Sequence, residues 1–241
     1  MIGVVGFGRF GELMARYLAS DVEVVVYDPG KASSDIEKSG ARSASLETVC
    51  RQKIVVLAVP ISQLRSVLQT IATMLSESAL VVDVCSVKEL PIRWMRELLP
   101  ESVSILATHP MFGPDSAAQS LSGCKIVLCK ERIDDRTFGK IKSYLSARGL
   151  VVIEATAEEH DRQISVSLAM THFIGRSLAR FGAKPLEIDT EGYKRLIHIL
   201  GVVEHDTWQL FVDMHRYNPY AAENRKAFMT AMGEINESLT E

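Results

Sequence analysis

Up to about residue 153 the chain alternates short runs of aliphatic and β-branched residues with longer stretches in which apolar positions recur every three or four residues. Ile2 to Val5, Val22 to Tyr27, Lys53 to Val59, Leu80 to Val84 and Val103 to Ala107 read as strands, and Phe10 to Ala19 as the first of the intervening helices. This alternation predicts a parallel sheet covered on both faces, since strands joined through helices run the same way and bury both sides. Two more strands, Lys125 to Cys129 and Leu150 to Ile153, flank a helix from about Asp134 to Ala147. The sheet domain therefore spans 1–154.

Beyond it the period changes. Thr156-Ala-Glu-Glu159 has the form of a capping box, and the helix it opens is predicted to run to Phe181 and stop at Gly182. A second long helix is read from Glu191 to about Tyr217, and Asn218-Pro219 supplies the cap and first position of a third. With no strand pattern after Ile153, residues 155–241 form a small all-helical domain. A domain of that size buries little apolar surface alone, so pairing of two chains through it into a homodimer is expected, docking on its own sheet domain being the alternative.

Composition narrows the partners. The 241 residues are 47% hydrophobic with a net charge of −3 and no block of like charges, which argues against nucleic acid or an anionic membrane and for small molecules. The chain opens directly on a strand, and no apolar run approaches the roughly 20 residues that span a bilayer, so a cytoplasmic protein is expected. Cys50, Cys85, Cys124 and Cys129 lack CxxC pairing and mostly adjoin apolar residues, as packing thiols do.

Gly6-Phe7-Gly8-Arg9-Phe10-Gly11 follows the first strand and opens the first helix. In that setting the first glycine makes the turn, the second lets a pyrophosphate approach the backbone, and the third lets helix and sheet pack closely. Asp28, seventeen residues after Gly11 at the end of the second strand, is placed to bind the hydroxyls of an adenosine ribose. The fold class is thus α/β, an N-terminal Rossmann dinucleotide-binding domain with a small all-helical C-terminal domain. A 2′-phosphate facing Asp28 at about 4 Å would cost on the order of 4 kcal/mol, which favours NAD over NADP. Lys31 on the same loop weakens that preference and leaves NADP open. Val59 and Pro60, after the fourth strand, form an apolar ledge where the nicotinamide half should pass.

Ile105 to Asp115 breaks from a strand into a segment with two prolines and a glycine, which places His109 at a strand's carboxyl end, where open α/β sheets bind ligands. Histidine suits proton transfer near neutral pH, although a loop histidine can equally cap backbone groups. Ser86 and Lys88, in Val81-Val-Asp83-Val-Cys-Ser86-Val-Lys88, emerge at the same edge, and the serine alone could simply cap the next helix.

The stretch Asp83 to Pro91 followed by Thr108-His-Pro-Met-Phe-Gly-Pro-Asp115 resembles the prephenate/arogenate dehydrogenase family of tyrosine biosynthesis, particularly its short plant-like arogenate branch. The resemblance continues in order through Glu159-His-Asp161, Thr171-His172, Gly175-Arg176, Gly192-Tyr193 and Tyr217-Asn218. It departs at Asp28, which has no arginine after it where the plant enzymes mostly use NADP, and at Leu168, where plant-like sequences carry a polar residue.

The resemblance implies oxidative decarboxylation of arogenate to tyrosine, or of prephenate to 4-hydroxyphenylpyruvate. Hydride leaves the hydroxyl-bearing ring carbon, the hydroxyl loses its proton, and carbon dioxide departs as the ring becomes aromatic. It makes His109 the proton acceptor and Ser86 the residue orienting it and the hydroxyl, and it puts Lys88, Thr171 and His172 at the substrate. Asp161, Ser165, Leu168, His172 and Arg176 fall on one face of the expected helix, so His172 and Arg176 are candidates for holding carboxylates in a cleft between domains. Lys194, Arg195 and Arg216 are further candidates for that charge, and Asp206, on the second long helix, aligns by resemblance with an aspartate that would select the arogenate ammonium. Two other readings are a β-hydroxyacid dehydrogenase, which needs a catalytic lysine on the helical domain, and a silent NAD-binding regulator, which needs neither Ser86 nor His109.

Overall fold

The structure, a computed structural model, describes residues 1–239. Strand β1 (Ile2–Val5) leads through the glycine turn to α1 (Arg9–Ala19) and β2 (Val24–Tyr27). The short helix α2 (Ser33–Glu37), the two-residue strand β3 (Arg42–Ser43) and α3 (Leu46–Cys50) follow, β3 being a strand too brief to leave a period in the sequence. Next come β4 (Ile54–Leu57), α4 (Ile61–Ile71), β5 (Leu80–Asp83), α5 (Glu89–Leu98) and β6 (Ser104–Pro110). Strand β7 (Lys125–Arg132), helix α6 (Asp135–Ala147) and strand β8 (Val151–Glu154) complete one sheet in the order β3-β2-β1-β4-β5-β6-β7-β8. The order reverses between β1 and β4, the switch point at which α/β sheets open a crevice for ligands.

The sheet is mixed, not wholly parallel as the alternation predicts. β7 runs antiparallel to β6, with His109 opposite Val127 and Thr108 opposite Leu128. Between these strands no helix intervenes, and without a crossover the chain can only turn back on itself. β8 pairs parallel to β7 after the α6 crossover. Apolar residues of one sheet face form two clusters, one around Val4, Val26 and Val56 against α1, the other around Leu106, Leu128 and Phe138 towards α6.

Contacts divide the chain into two compact units, the first ending at His160 and the second beginning at Asp161, inside α7 (Ala157–Ser167). The second unit adds α8 (Ala169–Phe181), α9 (Glu191–Glu204), α10 (Trp208–Arg216) and α11 (Ala221–Ser238). The capping box is formed, Glu159 N donating to Thr156 Oγ1 at 3.1 Å and Thr156 N to the Glu159 carboxylate at 3.4 Å. Each of the two predicted long helices is broken in two. The first breaks at Leu168, between α7 and α8. The second breaks at residues 205–207, where the Thr207 hydroxyl accepts from Leu210 N at 3.1 Å and starts α10 afresh. The third helix begins at Ala221, not at Pro219, because the Asn218 side chain accepts from Tyr220 N at 2.9 Å in a turn that precedes it. Helices α8 and α9 approach closely at Gly175, where a Cβ would lie 2.6 Å from a Val203 methyl. No helix among the described residues is long and apolar enough to cross a membrane.

Gly6 has φ +101°, and a Cβ there would stand 2.4 Å from the carbonyl oxygen of Ala58. Gly6→Ala should therefore lower unfolding stability by at least about 1–3 kcal/mol, read as a reduced urea midpoint. An unchanged midpoint would mean that the turn relaxes freely.

Candidate active site

The glycine fingerprint is built as its spacing requires. Gly11 packs against the turn itself, a Cβ there lying 2.5 Å from the Gly6 carbonyl oxygen, whereas a Cβ on Gly8 would meet nothing within 4 Å. The open glycine is the one that caps α1, so the first amide groups of an eleven-residue helix face accessible space, a cradle that fits a pyrophosphate. Phe7 buries its ring in the core and donates its backbone N–H to Asp28 Oδ2 at 2.7 Å. Gly30 N donates to Asp28 Oδ1 at 2.8 Å. These bonds fix the carboxylate at the end of β2, half-buried, and each oxygen retains a further acceptor site for a ribose hydroxyl. Val59 and Pro60 lie beside the turn at the start of α4, a Val59 methyl standing 3.1 Å from where a Gly6 Cβ would be.

Arg9 and Phe10 link this fingerprint to the histidine segment. The Arg9 guanidinium spans both Asp115 carboxylate oxygens at 2.9 and 3.0 Å, and the Phe10 ring lies 6.0 Å from that of Phe112. Tyr17 on α1 donates its hydroxyl to the Ala117 carbonyl at 2.8 Å. The loop after β6 is thus laid along α1.

At the carboxyl ends of β5 and β6, Asp83 stands opposite Ala107 in register, so Ser86 and His109 follow adjacent parallel strands to one sheet edge. Both are buried, and the Ser86 hydroxyl has no hydrogen-bond partner among the described residues. A buried hydroxyl without a partner is costly unless a ligand completes it. His109 Nδ1 lies 2.8 Å from Nε2 of His160, also buried, with the two rings edge to face. Burial pushes the His109 imidazole well below its usual range, and the neighbouring His160 and then Lys88 push the same way. It is therefore neutral near pH 7. His160 is the site residue that sequence reasoning missed; it sits in the Glu159-His-Asp161 motif without a role, and nothing in a linear sequence pairs positions 51 apart.

Lys88 is not where the sequence puts it. Expected to meet substrate, it is fully buried, its ammonium held by the Asp83 carboxylate and by the Thr108 carbonyl at 2.5 Å. The Asp83 carboxylate also accepts from Cys85 N at 2.9 Å, and the Thr108 hydroxyl donates to the Asp83 carbonyl at 2.7 Å. The cation is drawn inward because Asp83, itself 0% exposed, has to be neutralised.

In the second unit, His172 is buried on α8, its Nε2 3.5 Å from an Asp206 carboxylate oxygen and its Nδ1 without a hydrogen-bond partner among the described residues. Burial lowers its pKa first; Asp206 opposes that shift and Arg176 reinforces it. Arg176 donates to the Asp206 backbone carbonyl and lies 5.9 Å over the Trp208 ring, with its Nε lacking a hydrogen-bond partner among the described residues. Asp206 belongs to the break between α9 and α10, not to a helix, and there it joins His172 and Arg176 in one cluster. Asp161 and Ser165 leave the expected stripe, for they are buried against the end of the chain: Asn218 donates to the Asp161 carbonyl at 2.8 Å and Asn224 to the Ser165 hydroxyl at 2.6 Å. The Thr171 hydroxyl donates back to the Ser167 carbonyl at 2.6 Å. Lys194 pairs with Glu191 on the surface, and Arg195 and Arg216 are exposed.

Lys88→Met tests the buried pair. Leaving Asp83 without its cation should cost about 3–5 kcal/mol of unfolding free energy. Normal stability combined with weakened substrate binding would return Lys88 to the substrate.

Comparison with known proteins agrees with the motifs. Residues 15–154 match the family model described as prephenate dehydrogenase, nucleotide-binding domain, and residues 177–241 match that of a TYRAAT1-like C-terminal domain. Two Arabidopsis thaliana proteins, chloroplastic arogenate dehydrogenases 2 and 1, are 33% and 31% identical over 99% of the chain, which spans 69% and 39% of their respective lengths. The fold is similar to that of Aquifex aeolicus prephenate dehydrogenase solved with hydroxyphenyl propionate and NAD+, with a TM-score of 0.77 at 20% identity, covering 98% of this chain and 89% of that one. By its nucleotide-binding fingerprint and by these matches across the described fold, the chain belongs to the prephenate/arogenate dehydrogenase family.

Proposed function

We propose that this protein catalyses the NAD-dependent oxidative decarboxylation of arogenate to tyrosine, with prephenate as the alternative substrate. The observation that carries the reading is the neutral, buried His109 beside a buried Ser86 hydroxyl without a partner, at the sheet edge that also bears the glycine fingerprint. Gly8, the start of α1 and Asp28 would hold the dinucleotide, with Val59 and Pro60 along its nicotinamide half. The bound cofactor supplies the hydride acceptor. His109 accepts the proton of the ring hydroxyl, and Ser86 holds that hydroxyl in line with it, a pairing of positioned groups typically worth about 10² to 10⁴ in rate. His172 and Arg176 bind carboxylate, an assignment supported by the unpartnered His172 Nδ1 and Arg176 Nε.

A β-hydroxyacid dehydrogenase is less favoured, since Lys184, Lys194 and Lys226 of the second unit all have exposed side chains. A homodimer through the second unit is part of the proposal. Phe181, Ile188, Trp208, Met229 and Ile235 are large apolar residues exposed there, a density that monomers rarely leave in water.

NAD reduction measured in parallel with arogenate and prephenate should reveal turnover, and His109→Asn should lower kcat by about 10² or more while leaving NAD affinity within about twofold. Normal turnover by that variant would remove His109 from the chemistry. NAD should also give a higher kcat/KM than NADP, because Asp28 faces the ribose.

Substrate choice rests on Asp206. Its carboxylate is half-buried near His172, and it would pair with the arogenate ammonium and repel the more anionic prephenate. Asp206→Asn should shift the kcat/KM ratio towards prephenate by roughly tenfold, about 1.4 kcal/mol. An unchanged ratio would leave Asp206 as a partner of His172 only.

A further inference from the structure

His160 has no part in the reaction as set out above, yet its Nε2 lies 2.8 Å from the Nδ1 of His109. We infer that His160 is the positioning residue of the proton acceptor: its Nε2 accepts the His109 Nδ1 hydrogen at 2.8 Å and so fixes His109 in the tautomer whose bare Nε2 takes the substrate proton. The inference rests on the proposed reaction for its chemistry, but its geometry stands in this chain alone.

With both rings neutral, two imidazoles at this distance share one hydrogen, and two arrangements exist. If His160 Nε2 carried it, His109 Nδ1 would be the acceptor and His109 Nε2 would carry the other ring hydrogen. An Nε2–H cannot take a proton. If His109 Nδ1 carries the hydrogen, Nε2 presents its lone pair and His160 Nε2 accepts, with the His160 hydrogen on its own Nδ1. In the catalytic step the O–H bond of the ring hydroxyl breaks, a new N–H bond forms at His109 Nε2, and the Nδ1–H to His160 is retained. The resulting imidazolium donates a stronger, charge-assisted bond to the neutral His160. This is the logic by which a second group orients a catalytic histidine, with an imidazole in place of a carboxylate.

The neighbours favour an imidazole in that place. His109 is faced by His160 from α7 and by Lys88 from the turn before α5, and Asp83 of β5 is already engaged with Lys88. A carboxylate at position 160 would raise the affinity of His109 for a proton and oppose the burial that keeps it neutral. A neutral imidazole holds the orientation and leaves the base free. The position of His160 also suits this role, for it lies in the first turns of a helix anchored by the Thr156–Glu159 capping box, on backbone that cannot easily drift.

The test begins without turnover. In protein labelled with 15N-histidine, long-range proton–nitrogen correlation should show wild-type His109 as the Nδ1–H tautomer near neutral pH, and His160→Ala should move it towards the Nε2–H form. In parallel, His160→Ala should lower kcat by roughly 10- to 100-fold with NAD affinity unchanged, and His160→Gln, whose carbonyl oxygen can accept the same bond, should recover most of the loss. Observation of His109 as Nε2–H in the wild type overturns the inference, and so does wild-type turnover by His160→Ala. If the wild type oxidises neither arogenate nor prephenate, the proposed reaction fails, and the tautomer measurement decides the role of His160 by itself.

Discussion

The site depends on one buried ion pair. Asp83 ends β5, Thr108 precedes His109 near the end of β6, and Lys88 joins them with a single ammonium shared between a carboxylate and a carbonyl. The Thr108 hydroxyl closes the same knot by donating to the Asp83 carbonyl. Ser86 lies on the loop between the two charged partners and His109 is bonded covalently to the third, so the two groups assigned to proton transfer are set by a structure beneath them. A buried pair of this kind contributes little net stability, because desolvation of both ions offsets their attraction. What it contributes is register: neither strand end can shift without leaving a charge uncovered in the interior.

The same pair acts electrostatically. Lys88 adds to burial and to His160 in keeping His109 neutral, the form that the proposed role as a base requires. The carboxylates of the proposed substrate would push the other way as they approach. A buried cation behind the histidine counters that pull and limits how far protonation follows substrate binding.

Most of the fold was legible because a strand buried on both faces leaves an unbroken aliphatic run, as in Ile54 to Leu57 or Leu80 to Val82. The direction of β7 was not, since its residues read alike in either sense and only the lack of a helix in residues 111–124 foretold the reversal. The helix breaks had weak signals. Thr207 is a good cap, but the apolar spacing on either side of it continues the helical period and hides the interruption. For the site, the glycines, Asp28, Ser86 and His109 each carry their role in local spacing. Lys88 and His160 do not, since their meaning lies in partners 20 and 51 residues away along the chain.

The break at residues 205–207 changes what Asp206 can do. On a continuous helix its carboxylate would point as the helical period dictates, and an exposed acid would be the ordinary outcome. Placed in a capped turn, with its carbonyl held by Arg176 and its carboxylate 3.5 Å from His172, it is fixed by backbone bonds and not by its own rotamer. An acid, a base and a neutral imidazole then stand together on α8 and the turn beside it. On the proposed reading such a cluster would match a zwitterion: its guanidinium suits a carboxylate, its carboxylate suits an ammonium, and burial lowers the pKa of the imidazole so that it adds no further charge. A keto acid offers the carboxylate alone and leaves Asp206 facing no cation but its neighbours. On the proposed reading, a preference for arogenate would follow from unmatched charge and would need no difference in the shape of the two rings.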